Sequence, residues 1–233
     1  MIVIICAMEK EIEAFLKIAG ETKIIKGKRL KYQDSILKID YHAAKIADQD
    51  VVICQSGVGM TYAALGTQLA IQKFKPELVI NVGCAGSLNE DVHVGDIIVA
   101  DRVADWRYDV FDWERGLDSV YTSYPCDGRI ANIAGKLKSK ASIKVGPIVS
   151  ANEFIYKKSQ LKELKKYYPE ALCGEMEGCA IANTCYAYDV KCSIIRSISD
   201  ESLVNGGYKD YYFNVYKQCD AVADLCLKIL KRY

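Results

Sequence analysis

The chain has 233 residues, with 31 Lys and Arg against 30 Asp and Glu, a net charge of +1. That is enough to bury a sizeable core, and it excludes an overall electrostatic pull toward nucleic acid or an anionic membrane surface. With 51% hydrophobic and 26% charged residues, the composition is that of an ordinary globular protein.

Short β-rich runs alternate with helical patterns along almost the whole length. Residues 2–6 (IVIIC) predict a buried strand, and Met8, Ile12, Phe15 and Leu16 then recur at helical spacing. Strand-like segments follow at 23–26, 30–32 and 36–42, then an apolar strand at 51–55 and a helix over 62–74 that ends near Pro76. Residues 78–82 form a continuous apolar run, expected of a strand buried on both faces. A strand at 96–100 leads into a long aromatic connection, 101–125. A helix at 130–137, a strand at 143–150, an exposed charged helix at 159–167, and a short segment at 172–175 come next. A helix from 176 to about 186, a strand at 192–199 and a long amphipathic helix at 211–230 complete the pattern. Alternation of this kind predicts an α/β fold, a single three-layer domain over 1–233 with a central mixed, twisted sheet flanked by helices.

The two histidines, His42 and His93, form no HExxH helix and no histidine-based zinc cluster. No pair of the ten cysteines has CxxC spacing, and most lie in apolar patterns such as VIIC and VVIC. A thiol there behaves as a small buried hydrophobe, so every cysteine but Cys84 is expected in the core, reduced, in a cytoplasmic protein. The apolar run at 1–8 is too short for a secretory leader and Glu9, Lys10 and Glu11 follow it at once. No apolar stretch is long enough for a membrane span. Neither a metal nor another cofactor is expected.

Five segments carry candidate chemistry. Ser56-Gly57-Val58-Gly59 and Val82-Gly83-Cys84-Ala85-Gly86 each follow an apolar strand. Their glycines serve either as tight turns or as backbone that approaches a ligand. Gly174-Glu175-Met176-Glu177-Gly178 places two carboxylates around a thioether where a strand gives way to a helix. A carboxylate there accepts hydrogen bonds from a vicinal diol, or simply complements a helix dipole. Arg196-Ser197-Ile198-Ser199-Asp200 ends a strand, where α/β sheets gather ligands. Asp200 is either a shielded proton donor or an N-cap. Ala7-Met8-Glu9-Lys10-Glu11 opens the first helix, and the dipole rule alone permits Glu9, Glu11 and Glu13 alike.

In order along the chain, AMEKE, SGVG, NVGCAG, VSANEFI, GEMEG and RSISD together resemble the nucleoside phosphorylase/nucleosidase superfamily. Within it the chain is most similar to the 5′-methylthioadenosine/S-adenosylhomocysteine nucleosidase branch, over essentially its whole length. The resemblance implies hydrolytic depurination of adenine thionucleosides, with release of adenine. It implies Asp200 as the acid at adenine N7 and Glu11 as the base on water, with Arg196 nearby. Glu177 would grip the ribose hydroxyls, Met176 would pack beneath the sugar, and Phe154 would stack on adenine beside backbone groups around Ile155. Ser199 either orients Asp200 or forms a plain turn. Two carboxylates in opposite protonation states divide acid and base work without histidine.

The competing branch is phosphorolysis. Hexameric bacterial-type phosphorylases carry arginine directly before the corresponding glycine turn, where this chain has Asn81, and the N-terminal phosphate element of those enzymes is missing. Futalosine hydrolysis and an inactive nucleoside-binding relative also compete with hydrolysis of thionucleosides; retention of Glu11, Glu177 and Asp200 argues against the inactive relative. One departure is Cys84, where nucleosidases of this type usually carry serine. A thiol donates poorly, which leaves weaker water positioning, altered substrate preference or a neutral variant. The aromatic segment 105–113 is expected at a homodimer interface beside the pocket, or else packed on its own chain. The 206–213 segment is expected to cover the base.

Overall fold

The computed structural model describes residues 1–32, 35–107, 123–201 and 207–233; of 32, 207–213, 215 and 216 the backbone alone is described. Its elements alternate as the pattern requires: β1 (Ile2–Cys6), α1 (Glu9–Ala19), β2 (Lys23–Ile25), β3 (Arg29–Tyr32), β4 (Ser35–Lys38), β5 (Tyr41–Ile46), β6 (Gln49–Gln55), α2 (Met60–Phe74) and β7 (Leu78–Ser87). Then come β8 (Ile97–Asp105), β9 (Ser123–Pro125), α3 (Gly128–Gly135), β10 (Ile143–Ser150), α4 (Lys158–Tyr167), β11 (Cys173–Glu175), α5 (Gly178–Ala187), β12 (Lys191–Glu201) and α6 (Gly207–Leu230).

A mixed ten-stranded sheet runs β11-β10-β8-β12-β7-β1-β6-β5-β2, with β9 on β8. The centre is parallel: β6, β1, β7 and β12 follow one another in register, Ile4 facing Ile53 on one side and Ile80 on the other. β8 is antiparallel to β12. β11 pairs with β10 and also back onto β7, through Cys173 to Ser87 and Gly174 to Gly86. Strands β7, β12, β8, β10 and β11 thus close on themselves, which brings the end of β11 against the ends of β7 and β12.

Strand alternation divides the core into two layers. Ile2, Ile4 and Cys6 of β1 pack with Ile12 and Phe15 of α1, Ile130 of α3 and Val222 and Cys226 of α6. Val3 and Ile5 face the other way, onto Ala63 and Ala70 of α2 and Ile181 and Cys185 of α5. A sheet covered on both faces explains why β1, β6 and β7 read as unbroken apolar runs. Burial of each such Ile or Val side chain is worth about 1.5–3 kcal/mol. A third cluster joins Trp106, Leu88, Ile155 and Leu164 of α4. Among the described residues, no helix is long and apolar enough to cross a membrane.

Four expected boundaries differ. β7 continues from Val82 to Ser87, so Gly83–Gly86 is strand rather than turn, held by β12 on one side and β11 on the other. β8 likewise runs on through Asp105, paired to β10 and β9, so the connection expected from 101 begins later. The segment 36–42 is two strands, broken at Ile39 and Asp40, where Asp40 accepts from Gly27 N and pairs with Arg29. α5 starts at Gly178, so Met176 and Glu177 precede it and Glu177 is its N-cap residue. Cys126, expected in the core, is half-exposed because it lies in the link between β9 and α3.

Candidate active site

A cavity of about 160 Å³ opens where β7, β11 and β12 end and α1 begins. Its lining includes Glu11, Cys84, Phe154, Ile155, Met176, Glu177, Ser199 and Asp200. Eight of the nine residues expected from the sequence therefore meet in one place. The ninth, Arg196, lies behind the wall and is 1% exposed.

Of the three carboxylates that open α1, only Glu11 is buried; Glu9 and Glu13 are exposed. Glu11 Oε2 accepts from the N–H groups of Ala7 at 2.8 Å and of the N-cap residue Met8 at 2.9 Å. Gly83 makes the approach possible: a Cβ there would sit 2.6 Å from Glu11 Oε1. Burial pushes the Glu11 carboxyl above its ordinary value, opposed by those N–H groups and by the charge of Arg196. A carboxyl raised in this way is a stronger base once ionised.

Arg196 anchors the floor. One Nη2 donates to Glu175 Oε2 and, at 2.5 Å, to Asn81 Oδ1, while Nη1 donates to the Ile195 carbonyl at 3.1 Å. Asn81 in turn donates to the Ile5 carbonyl at 3.0 Å. Burial by itself would lower the Arg196 pKa, but Glu175, Glu177 and Glu11 outweigh it and raise it. Glu175 holds this arginine, because a buried guanidinium requires a carboxylate partner.

Glu175 also accepts from the N–H groups of Glu177 at 3.0 Å and Gly178 at 2.8 Å, and from Ser150 Oγ. It satisfies the first donors of α5 and fixes the segment that carries Met176 and Glu177. Ser150 Oγ closes the network by accepting from Cys179 N at 2.8 Å. Glu177 Oε1 accepts from Gly59 N at 2.8 Å, where Gly59 has φ of 93°, a value that favours glycine. Burial first, then the charge of Glu175, push the Glu177 carboxyl up to about 8.

Asp200 is 1% exposed near the end of β12, and its Oδ1 accepts from Ser199 Oγ at 2.8 Å. The Ala85 carbonyl lies 3.3 Å from the same hydroxyl. Asn214 of α6 donates to the Ser199 carbonyl at 3.1 Å, so a helix and a strand both hold this corner. An N-cap role for Asp200 does not apply, since β12 runs on through Glu201. Cys84 Sγ lies 4.0 Å from Cys219 Sγ, and this neighbour with burial keeps the Cys84 thiol well above its ordinary pKa.

The sequence left Glu175 open between a diol acceptor and a helix-dipole partner, and it takes the first donors of α5; the network with Asn81 and Ser150 was not expected. Glu175 carried the signal, as the first acid of GEMEG, but its contact with Arg196 spans 21 positions. His93 pairs with Glu201 at the surface, 3.3 Å apart, and neither histidine lines the cavity. Of segment 105–113, Trp106 is buried and stacks under Arg107 at 3.9 Å, and Arg107 pairs with Glu153 and Glu163. Residues 108–113 lie outside the described residues, as do 206 and the side chains of 207–213. Among the described residues, no group of three or more His, Cys, Asp or Glu is arranged to hold a metal ion.

Comparison with known proteins identifies the family. The family model described as phosphorylase superfamily matches residues 1–233. A 5′-methylthioadenosine/S-adenosylhomocysteine nucleosidase of Staphylococcus aureus is 36% identical over 214 residues, covering 88% of each chain. The Neisseria meningitidis nucleosidase of the same name, solved with methylthio-immucillin-A, superposes with a TM-score of 0.85 at 26% identity, covering 100% of this chain and 99% of that one. The Streptococcus pneumoniae nucleosidase, solved with the transition-state inhibitor MT-ImmA, gives 0.84 at 25% identity over 99% and 98%. The chain belongs to the phosphorylase superfamily and, within it, to the 5′-methylthioadenosine/S-adenosylhomocysteine nucleosidase family.

Proposed function

We propose that this chain hydrolyses the N-glycosidic bond of 5′-methylthioadenosine and S-adenosylhomocysteine, releasing adenine. The observation that carries the reading is the meeting of Glu11, Glu177 and Asp200 around one cavity with Met176 and Phe154. Bond cleavage develops cationic character at the sugar and negative charge on the departing purine. Asp200 supplies a proton to adenine N7, so that the base leaves neutral. Glu11 takes a proton from water as its oxygen bonds to C1′ of the sugar. Each proton transfer of this type contributes roughly 10²–10⁴ in rate. Glu177 accepts from the ribose hydroxyls, Met176 packs on the sugar, and Phe154 with Ile155 holds the base. Ser199 keeps Asp200 aimed at the base, and Arg196 acts from behind through Glu175.

Water rather than phosphate is the nucleophile in this reading. Among the described lining residues none is Lys or Arg, while Glu11, Glu153, Glu175, Glu177 and Asp200 all contribute. A phosphate dianion finds no cationic or bidentate partner on such a wall. The test is incubation with methylthioadenosine with and without phosphate. Adenine and methylthioribose form in both; a strict phosphate requirement, with a sugar 1-phosphate product, overturns the reading. The proposal extends to a single domain over 1–233 and to a homodimer with the 105–113 segment at its interface, which light scattering of the purified protein tests. A reducing cytoplasm is supported by ten cysteines of which none is in a disulfide.

A further inference from the structure

One thiol faces the cavity and a second stands directly behind it. Cys84 lines the pocket from β7, and its Sγ lies 4.0 Å from that of Cys219, a residue of α6 that is 4% exposed. Another neighbouring pair, Cys185 and Cys192, is buried on both sides and away from the cavity. Position alone gives Cys84 the contact with small molecules that enter the pocket, and gives Cys219 contact with Cys84.

The pair also bridges the two elements that hold the polar corner. One turn before Cys219, Asn214 donates to the Ser199 carbonyl at 3.1 Å, and Gln218 accepts from Ser197 Oγ at 2.7 Å. Ser197 is the register partner of Cys84 across the β12–β7 ladder, and Asp200 follows Ser199. A displacement of α6 at Cys219 is therefore felt by the contacts that seat Asp200.

We propose that Cys84 and Cys219 form an oxidation site for hydrogen peroxide, and that the disulfide made between them disables the pocket. In the first step the Cys84 sulfur attacks one peroxide oxygen, the O–O bond breaks, and the leaving oxygen departs as water. Cys84 becomes a sulfenic acid and the peroxide is reduced. In the second step the Cys219 sulfur attacks the sulfenic sulfur, the S–O bond breaks, and a second water leaves as the S–S bond forms. Two thiols and one hydrogen peroxide yield one disulfide and two waters. Closing the gap from 4.0 Å to a bond of about 2 Å draws the Cys84 sulfur out of the pocket wall and shifts α6 against β7. The Cys219 thiol and burial keep Cys84 protonated, with Glu11 adding to that and Arg196 opposing it, so the reaction is slow and needs excess peroxide. Excess thiol returns the pair to its reduced form.

The loss of activity rests on the nucleosidase reading; the bond itself does not. The experiment treats the native chain with excess hydrogen peroxide, blocks remaining thiols with iodoacetamide, and maps peptides by mass without reductant while adenine release is followed in parallel. The expected result is a Cys84–Cys219 linked peptide, lighter by two hydrogens than its separate parts. It accumulates in step with the loss of adenine release, and dithiothreitol reverses both. In Cys219→Ser the linked peptide disappears, Cys84 gains oxygens instead, and dithiothreitol no longer restores full activity. Cys84 still alkylated after prolonged peroxide, or Cys84 linked elsewhere, overturns the proposal, as does a linked chain that keeps its activity. If the untreated chain releases no adenine, the nucleosidase reading fails, and the linked peptide alone decides the oxidation site. Should Cys219→Ser not fold, the native map is decisive by itself.

Discussion

Strands β7 and β12 lie side by side in parallel, in register from Leu78 to Ala85 with a shift between Ile198 and Asp200, yet their two halves are built by opposite rules. In the first halves Leu78, Val79 and Ile80 face Lys191, Cys192 and Ser193, and the apolar side chains among them fill both core layers. In the second halves Gly83, Cys84 and Ala85 face Arg196, Ser197 and Ile198, and Asp200 follows in the same wall. The first halves gain stability by removing apolar area from water. The second halves bury charge, which costs stability unless every group is paired. One half holds the sheet together, and the other spends some of that stability on a polar cluster.

The largest effect that sharpens this contrast belongs to Glu175→Ala. It leaves Arg196 buried without its hydrogen-bonded carboxylate, with Glu177 at 3.9 Å as the nearest ion-pair partner, and breaking a buried pair costs about 3–5 kcal/mol. The midpoint of urea unfolding checks this; a change near zero would mean that the ion pair does not support the second halves. Ile80→Ala, in the first half, is expected to cost about 2–5 kcal/mol. Its turnover per folded molecule stays unchanged, because Ile80 lies at 0% exposure within the sheet and away from the cavity. A selective loss of turnover would break the division between the halves.

The third test uses pH. Glu177, pushed up to about 8 from an ordinary 4.5, is protonated in the folded chain at neutral pH and ionised in the unfolded one. Between those values the folded state binds more protons. Its contribution to stability is therefore fully present below the unfolded value and is lost as pH rises through about 8. Melting temperatures from about pH 5 to about pH 9 should decline, and Glu177→Gln should flatten that decline. An unaltered slope in the variant would assign the titration to another group. The smallest effect is that of Cys84→Ser. The hydroxyl is the better donor, and kcat/KM with methylthioadenosine is expected to rise by roughly two- to tenfold, the worth of one improved hydrogen bond. A large loss would give the thiol a part in the chemistry itself.

The first halves were legible in the sequence because apolar runs rich in β-branched residues, such as LVI at 78–80, are expected of a strand covered on both faces. The second halves were not. Gly83–Gly86 carries the glycines of a turn, yet it is strand, because β11 and β12 supply hydrogen bonds on both sides. Those partners lie more than eighty positions away, and no local pattern reports them. The site residues were legible as a set, since each motif falls at a strand end. Their division of labour was less so. Glu175 and Glu177 stand two apart in nearly identical surroundings of sequence, and only the fold shows that Glu175 turns inward to Arg196 while Glu177 faces the cavity and Gly59. The buried pairing of Arg196 with Glu175 is invisible along the chain for the same reason.

The central claim is that carboxylates at the polar ends of these strands perform the proton transfers. Steady-state turnover of Asp200→Asn with methylthioadenosine, set beside nucleoside binding by calorimetry, tests it most directly. The substitution keeps the shape of the side chain and its contact with Ser199 but removes the proton donor. The account predicts that kcat falls by roughly 10²–10⁴ while binding and the unfolding midpoint stay close to those of the unaltered chain. Turnover near the unaltered value would contradict it.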